Sequence, residues 1–338
     1  MKPQARLPGV AKREVFGWAM YDFANSGFTT VVITAVFSAY FVGAVAQGAP
    51  WGAFAWTATL GVSYALVMLT MPALGAWADL RAAKKRLLAV VTALCVLTTA
   101  ALALVGPGDL WLAIVLLILA NTTYSWGEST SYAFLPEIAT PEAIGKVSGW
   151  GWGLGYAGGM LTLGLCLAYV LSAQARGETA GDFVPVTMLI TAGMYGAASL
   201  FTFALLKERA EPQIAVAQAS GVRASLARLR STWQASRQYR DFSWLLTSAF
   251  FYQGGVAVAI TLAAIYAQQV IGFQADEVMI LVFVINAAAM AGALAFGYVQ
   301  DRIGHRLTLA VTLVGWAVTC VWAGLATDKA PFWGAAWL

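Results

Sequence analysis

Stretches of apolar residues long enough to cross a bilayer recur along almost the whole chain, and no other feature limits its fold as much. A crossing helix needs about 20 mainly apolar residues, because inside lipid a helix must satisfy its own backbone polar groups. Such runs fall at 16–46, 53–77, 87–105, 110–135, 149–173, 185–206, 243–270, 277–299 and 307–327, and a tenth begins near Pro331. Only 11% of residues are charged, against about 25% in a soluble domain. The sequence therefore reads as an all-α polytopic membrane protein. The first run is about twice the length of a signal-peptide core and carries Asp22 and Asn25. It reads as a retained helix, not a cleaved leader.

Basic residues set the orientation. Eighteen of the twenty Lys and Arg lie in the N-terminal tail and in the alternate loops that share its side; only Arg176 and Lys329 lie on the other. By the positive-inside rule the N-terminus is cytoplasmic, and the cell (inner) membrane is the expected location. The pI near 9.0 then reflects membrane sidedness and does not point to nucleic acid. Cys95, Cys166 and Cys320 sit far apart within apolar runs, and the single histidine, His305, is in a loop. That pattern suggests no metal site and no disulfide framework. Neither a nucleotide-binding loop nor a nucleophile triad is present, so no cofactor is expected and an enzyme is the least favoured class.

The chain divides after six runs. Residues 1–206 read as a six-helix bundle, 207–242 as a cytoplasmic linker, and 243–338 as an incomplete second bundle. Within the linker, Val222, Leu226, Leu229 and Trp233 share one helical face, with arginines elsewhere, as in an amphipathic helix on an anionic leaflet. An internal repeat supports two halves. Gly75-x-x-x-Asp79 with Lys84 five residues on recurs as Gly297-x-x-x-Asp301 with Arg306 five residues on, each after the second run of its half.

Three segments carry a family resemblance. The loop from Gly297 to Arg306 resembles the loop signature of the major facilitator superfamily; the first copy departs from it at Leu80 and Ala82. The stretch Trp18 to Thr30, and the segment from Leu135-Pro-Glu through Gly145 to Gly159, resemble the branch that includes the fungal vacuolar, autophagy-related amino-acid effluxer and its bacterial relatives. The resemblance implies a major facilitator-type fold of twelve spans in two pseudo-symmetric bundles, working by alternating access. On that expectation the chain is truncated, with nine complete spans and the start of a tenth. Two departures bear on coupling: Gly254 stands where relatives usually have an acid, and Gly155-Tyr156 stands where superfamily antiporters often have Gly-Pro.

An acid at membrane depth costs roughly 2.5–3.5 kcal/mol on insertion scales, so it requires a partner or a task. Asp22, Asn25, Ser26 and Thr29 fall at i, i+3, i+4 and i+7 in the first span; Asn121, Ser125, Glu128 and Tyr132 fall at i, i+4, i+7 and i+11 in the fourth. The superfamily fold lines its central cavity with both spans, so Asp22 and Glu128 are expected to face it close together. Two carboxylates there cannot both ionise cheaply, which makes the pair a candidate proton carrier. The competing reading has them bond to amides and hydroxyls and lock the cytoplasmic gate. Tyr252, Gln253 and Asn286 are candidate substrate contacts, although a bond to a neighbouring helix is the favoured reading of Asn286. Asp79, Arg81, Lys84, Asp301, Arg302 and Arg306 are expected at the cytoplasmic gate. The glycines from Gly149 to Gly159 read as close helix packing, and Trp150 and Trp152 as interfacial anchors.

The function expected is a secondary transporter of a small-molecule substrate, with amino-acid export and coupling to protons the specific possibilities. The rivals are a lipid or lysolipid flippase on the same fold, and a non-transporting scaffold or truncated remnant.

Overall fold

The computed structural model describes residues 5–209, 234, 239–273 and 275–337. Among these residues nine helices are long and apolar enough to cross a membrane. They are α1 (Lys12–Val45), α2 (Gly52–Leu80), α3 (Lys84–Leu104), α4 (Leu110–Tyr132), α5 (Ile144–Ala175), α6 (Ala180–Leu205), α7 (Arg240–Gln269), α8 (Ala275–Ile303) and α9 (His305–Leu325), followed by a short α10 (Lys329–Trp337). Helices α1 and α6 begin before their apolar runs, each with a polar cap at its head. The Thr179 backbone and hydroxyl, for example, both donate to Asp182 at the head of α6, at 2.9 and 2.7 Å. The amphipathic helix expected in the linker lies almost wholly outside the described residues.

The core forms around α1. Trp18, Tyr21, Phe28, Phe37 and Phe41 are all at most 1% exposed, while Phe54, Leu69 and Trp111 on other helices are at least 70% exposed and face outward. In a bilayer such outward apolar surface meets acyl chains. Helix α1 packs on α5 and α6, α4 on α2 and α3, and α8 crosses α5. From Phe28 to Ala35 the backbone of α1 widens to a π-helix, with the Val36 N–H donating to Val31 O at 2.9 Å. The extra residue per turn rotates everything beyond Phe28 relative to Asp22.

Four chain segments meet at one face of the bundle. The N-terminal tail runs antiparallel to the segment after α4: Leu7 N–H donates to Ile138 O at 3.2 Å and Thr140 N–H to Ala5 O at 3.3 Å. The buried Glu14 pairs with Arg209 at 2.6 Å, just beyond α6. At the head of α3, the Lys85 N–H donates to Glu208 at 2.7 Å, and Lys84 pairs with Glu137 at 2.6 Å. All four segments belong to the basic side of the sequence, as alternation of spans requires.

Candidate functional site

The polar centre lies where α1, α4 and α5 meet. Asp22 is 4% exposed. It is seated against α5 because Gly151 and Gly155 leave room for it; a Cβ on Gly151 would come within 2.6 Å of Asp22 Oδ2. Ser26 and Thr30 continue that row against Gly155 and Gly159. The stripe that meets α5 is thus Asp22–Ser26–Thr30. Thr29 instead donates to Ser26 O of its own helix at 3.0 Å. Asp22 Oδ2 and Asn25 Nδ2 are both buried without a hydrogen-bond partner among the described residues. Such groups are costly to leave unmatched in a low-dielectric interior.

On α4, Glu128 Oε1 accepts the hydroxyls of Tyr124 at 3.0 Å and Tyr132 at 3.3 Å, one helical turn to either side. Tyr124 stacks on Phe28 of α1, with ring centres 5.0 Å apart. Glu128 lies within electrostatic reach of Asp22, and Tyr132 within reach of Asp22 and Tyr156. The Trp18 indole donates to Ser131 O at 2.9 Å and ties α1 to α4 beside the acids. Sequence periodicity singled out Asp22, Glu128 and Tyr132. It passed over Tyr124 and Tyr156, because tyrosines in an apolar run look like core.

Other expected residues are placed elsewhere. Asn121 donates to Ser63 of α2 at 2.6 Å, a buried interhelical bond; Ser125 is buried nearby on α4. Asn286 donates to Val282 O of its own helix at 2.7 Å, not to a neighbouring helix as one reading had it. A donor in an apolar span finds the nearest carbonyl, one turn back. On α7, Tyr252 is half-buried and Gln253 exposed.

At the gate the two repeats behave differently. In the first, Lys84 bridges Asp79 at 3.1 Å and Glu137 at 2.6 Å, and Arg81 lies 5.4 Å over the Trp77 ring. In the second, Asp301 accepts the Lys146 N–H at 3.1 Å, at the first turn of α5. An anion at a helix N-terminus meets unpaired N–H groups and the positive dipole end. Arg302 and Arg306 are exposed and form no ion pair among the described residues. The Lys146 ammonium sits between the rings of Trp150 and Tyr298, at 5.2 and 5.1 Å, and the Trp150 indole donates to the Tyr298 hydroxyl at 3.3 Å. Trp150 is therefore a contact between α5 and α8. The glycines of α5 serve two neighbours: Gly145, Gly149 and Gly153 meet α8, and Gly151, Gly155, Gly158 and Gly159 meet α1. No group of three or more His, Cys, Asp or Glu among the described residues could hold a metal ion.

Known proteins share both sequence and architecture with this chain. The family described as "Vacuole effluxer Atg22 like" matches residues 52–335. An uncharacterized MFS-type transporter of Bacillus subtilis (strain 168), YxiO, is 30% identical, over 94% of this chain and 74% of its own length. Among solved structures, the proton:xylose symporter XylE bound to 6-bromo-6-deoxy-D-glucose superposes with a TM-score of 0.63 at 12% identity, over 96% of this chain and 77% of that one. A partially occluded inward-open form of XylE from E. coli gives 0.56 at 12% identity, over 96% and 82%. At that identity the likeness carries the fold, that of the major facilitator superfamily. Since the family match spans most of the sequence and the helices superpose on this fold, the chain belongs to the vacuole effluxer Atg22-like family of major facilitator transporters.

Proposed function

We propose that this protein is a secondary active transporter that exports amino acids or similar small solutes and couples their movement to protons. One observation carries the coupling: Asp22 is buried with an unpartnered carboxylate oxygen, within electrostatic reach of Glu128. Two acids sharing one dry site favour a single negative charge, so a proton held between them is exchanged as the site changes its access to water. Tyr124 and Tyr132 hold Glu128 in position. Asp79, Lys84 and Glu137 in one repeat, and Asp301 in the other, fasten the basic face; Arg81, Arg302 and Arg306 contribute to the charge that orients it inward. The N-terminus lies in the cytoplasm and the cell membrane is the site of action.

The test is flux into proteoliposomes under an imposed pH gradient, with labelled neutral amino acids. Wild type is expected to show gradient-driven flux. Glu128→Gln is expected to lose the gradient dependence while retaining exchange of labelled for unlabelled solute. Unchanged gradient-driven flux in Glu128→Gln would remove the coupling role, and absence of flux for every amino acid would remove the substrate class.

A further inference from the structure

Tyr21 stands beside Asp22 on α1 and is fully buried. Neighbouring residues on a helix point about 100° apart, so Asp22 meets α5 while Tyr21 reaches between α3, α4 and α6. There its hydroxyl lies 3.0 Å from Thr92 Oγ1 of α3 and 3.1 Å from the Tyr195 hydroxyl of α6. The Thr92 proton is already given to Leu88 O at 2.6 Å. Thr92 therefore accepts from Tyr21, and Tyr21 in turn accepts from Tyr195. The row of donors Tyr195–Tyr21–Thr92 ends on a backbone carbonyl, which fixes its direction and holds the Tyr21 hydroxyl in one place.

The same hydroxyl is seated on α4 at Gly127, the residue before Glu128. A Cβ on Gly127 would collide with the Tyr21 hydroxyl oxygen, whereas Tyr21 Cζ at 3.4 Å and Val91 Cγ2 at 3.5 Å would be ordinary contacts. The clash is thus with that one oxygen. Two further ties run along the same antiparallel line: Trp18 donates to Ser131 O, and Phe28 stacks on Tyr124. Tyr21 on Gly127 lies between them, and it joins the residue before one acid to the residue before the other. Asp22 has little slack of its own, because Gly151 and Gly155 of α5 close over it.

We infer that Tyr21 is a positioning residue for the acid pair: its tethered hydroxyl, seated on Gly127, sets the turn of α1 and the level of α4 that fix the spacing of Asp22 and Glu128. What the two acids do rests on the coupling reading above; where they stand does not.

The experiment labels the whole protein in liposomes with dicyclohexylcarbodiimide, a reagent for carboxyls in apolar surroundings. Peptide mass spectrometry reads the label at Asp22 and Glu128, beside gradient-driven flux of neutral amino acids. In wild type Asp22 is 4% exposed and is expected to label slowly. Gly127→Ala drives α4 off the hydroxyl, and labelling of Asp22 is expected to rise about fivefold. Tyr21→Phe frees α1 from Thr92 and Tyr195 and is expected to raise it about threefold. Tyr21→Phe/Gly127→Ala removes the colliding oxygen and refills its space with the methyl group, so labelling is expected to return to within about twofold of wild type. A role in stability alone predicts the opposite order, because the double variant lacks the hydroxyl bonds and carries the extra methyl. Asp22 labelling unchanged in Gly127→Ala, or as high in the double variant as in Gly127→Ala, overturns the proposal. Recovery of labelling in the double variant, with gradient dependence intact in Gly127→Ala, would keep the positioning role and remove the coupling reading.

Discussion

Asp301 Oδ2 accepts the backbone N–H of Lys146 at 3.1 Å, although 155 residues separate them in sequence. The bond sets a carboxylate from the last turn of α8, in the other repeat, at the N-terminal turn of α5. With the Lys146–Trp150–Tyr298 cluster it forms a clasp between α5 and α8 on the basic face.

Removing that carboxylate should loosen the clasp. A capping anion at a helix N-terminus contributes about 1 kcal/mol. Asp301→Ala is therefore expected to raise maleimide labelling of a cysteine introduced by Ala293→Cys, at the crossing, by about fivefold. Asp301→Asn keeps an oxygen acceptor and should lie between. Labelling equal to wild type in Asp301→Ala would show that the bond does not hold the crossing.

The crossing itself rests on backbone contact. A Cβ on Gly149 would lie 2.8 Å from Ala293 O and 3.2 Å from Gly297 Cα, and backbone atoms cannot swing aside as a flexible side chain can. Gly149→Leu should destabilise the protein by about 1–3 kcal/mol or more, the usual range for overpacking. Gly164→Leu on the same helix, where no atom lies within 4 Å, should be near neutral. Thermal unfolding followed by tryptophan fluorescence in detergent compares the two, and equal melting shifts would count against a close crossing.

The repeats differ at one turn residue. Ala82 follows α2 with φ +48°, and its counterpart Gly304 follows α8 with φ +84°. The left-handed region costs a residue with a Cβ about 1–2 kcal/mol. Ala82→Gly is expected to stabilise by about 0.5–1 kcal/mol, the relief exceeding the added chain entropy. Gly304→Ala should destabilise by about 1 kcal/mol although open space surrounds it. The same unfolding assay reads both; a loss of stability in Ala82→Gly contradicts the strain.

Glu14 is 2% exposed and Arg209 is partly open, with their charges 2.6 Å apart. The Glu14 carboxylate also accepts the Ala11 N–H at 3.1 Å, and Arg209 donates to Gly9 O at 3.3 Å. The pair clips the segment after α6 to the head of α1. Stranding Glu14 by Arg209→Ala should cost about 1–3 kcal/mol, less than a fully buried pair because solvent reaches the guanidinium. Glu14→Gln/Arg209→Ala, which strands no charge, should recover part of it. A double-variant cycle in thermal unfolding measures this, and strict additivity would mean that the two do not interact.

Much of this architecture was legible from the residues. Span number, helix limits to within a few residues, and the shared side of the basic loops follow from apolar length and charge placement. These are local properties read against one solvent, the bilayer. Asp22 stood out for the same reason: an acid in an apolar run is anomalous whatever surrounds it. The glycine-rich start of α5 announced close packing but not its partners. The bonds of Asn286 to its own helix and of Trp150 to Tyr298 were not legible, because a polar group in a span can turn to its own helix, a neighbour or the interface, and sequence spacing does not distinguish these.

The sequence alone thus determined that the chain lives in a membrane, how often it crosses and which ends share a face, since each helix must match the lipid by itself. Only the tertiary structure decided that Gly149 meets α8 while Gly151 meets Asp22, that the α5-facing row is Asp22–Ser26–Thr30, and that Asp301 reaches Lys146. Those outcomes depend on which helices become neighbours and on the π-helical widening of α1, which turns one part of a helix against the other. Adjacent residues on a helix point about 100° apart, so contact partners are fixed by packing angles that no single segment encodes.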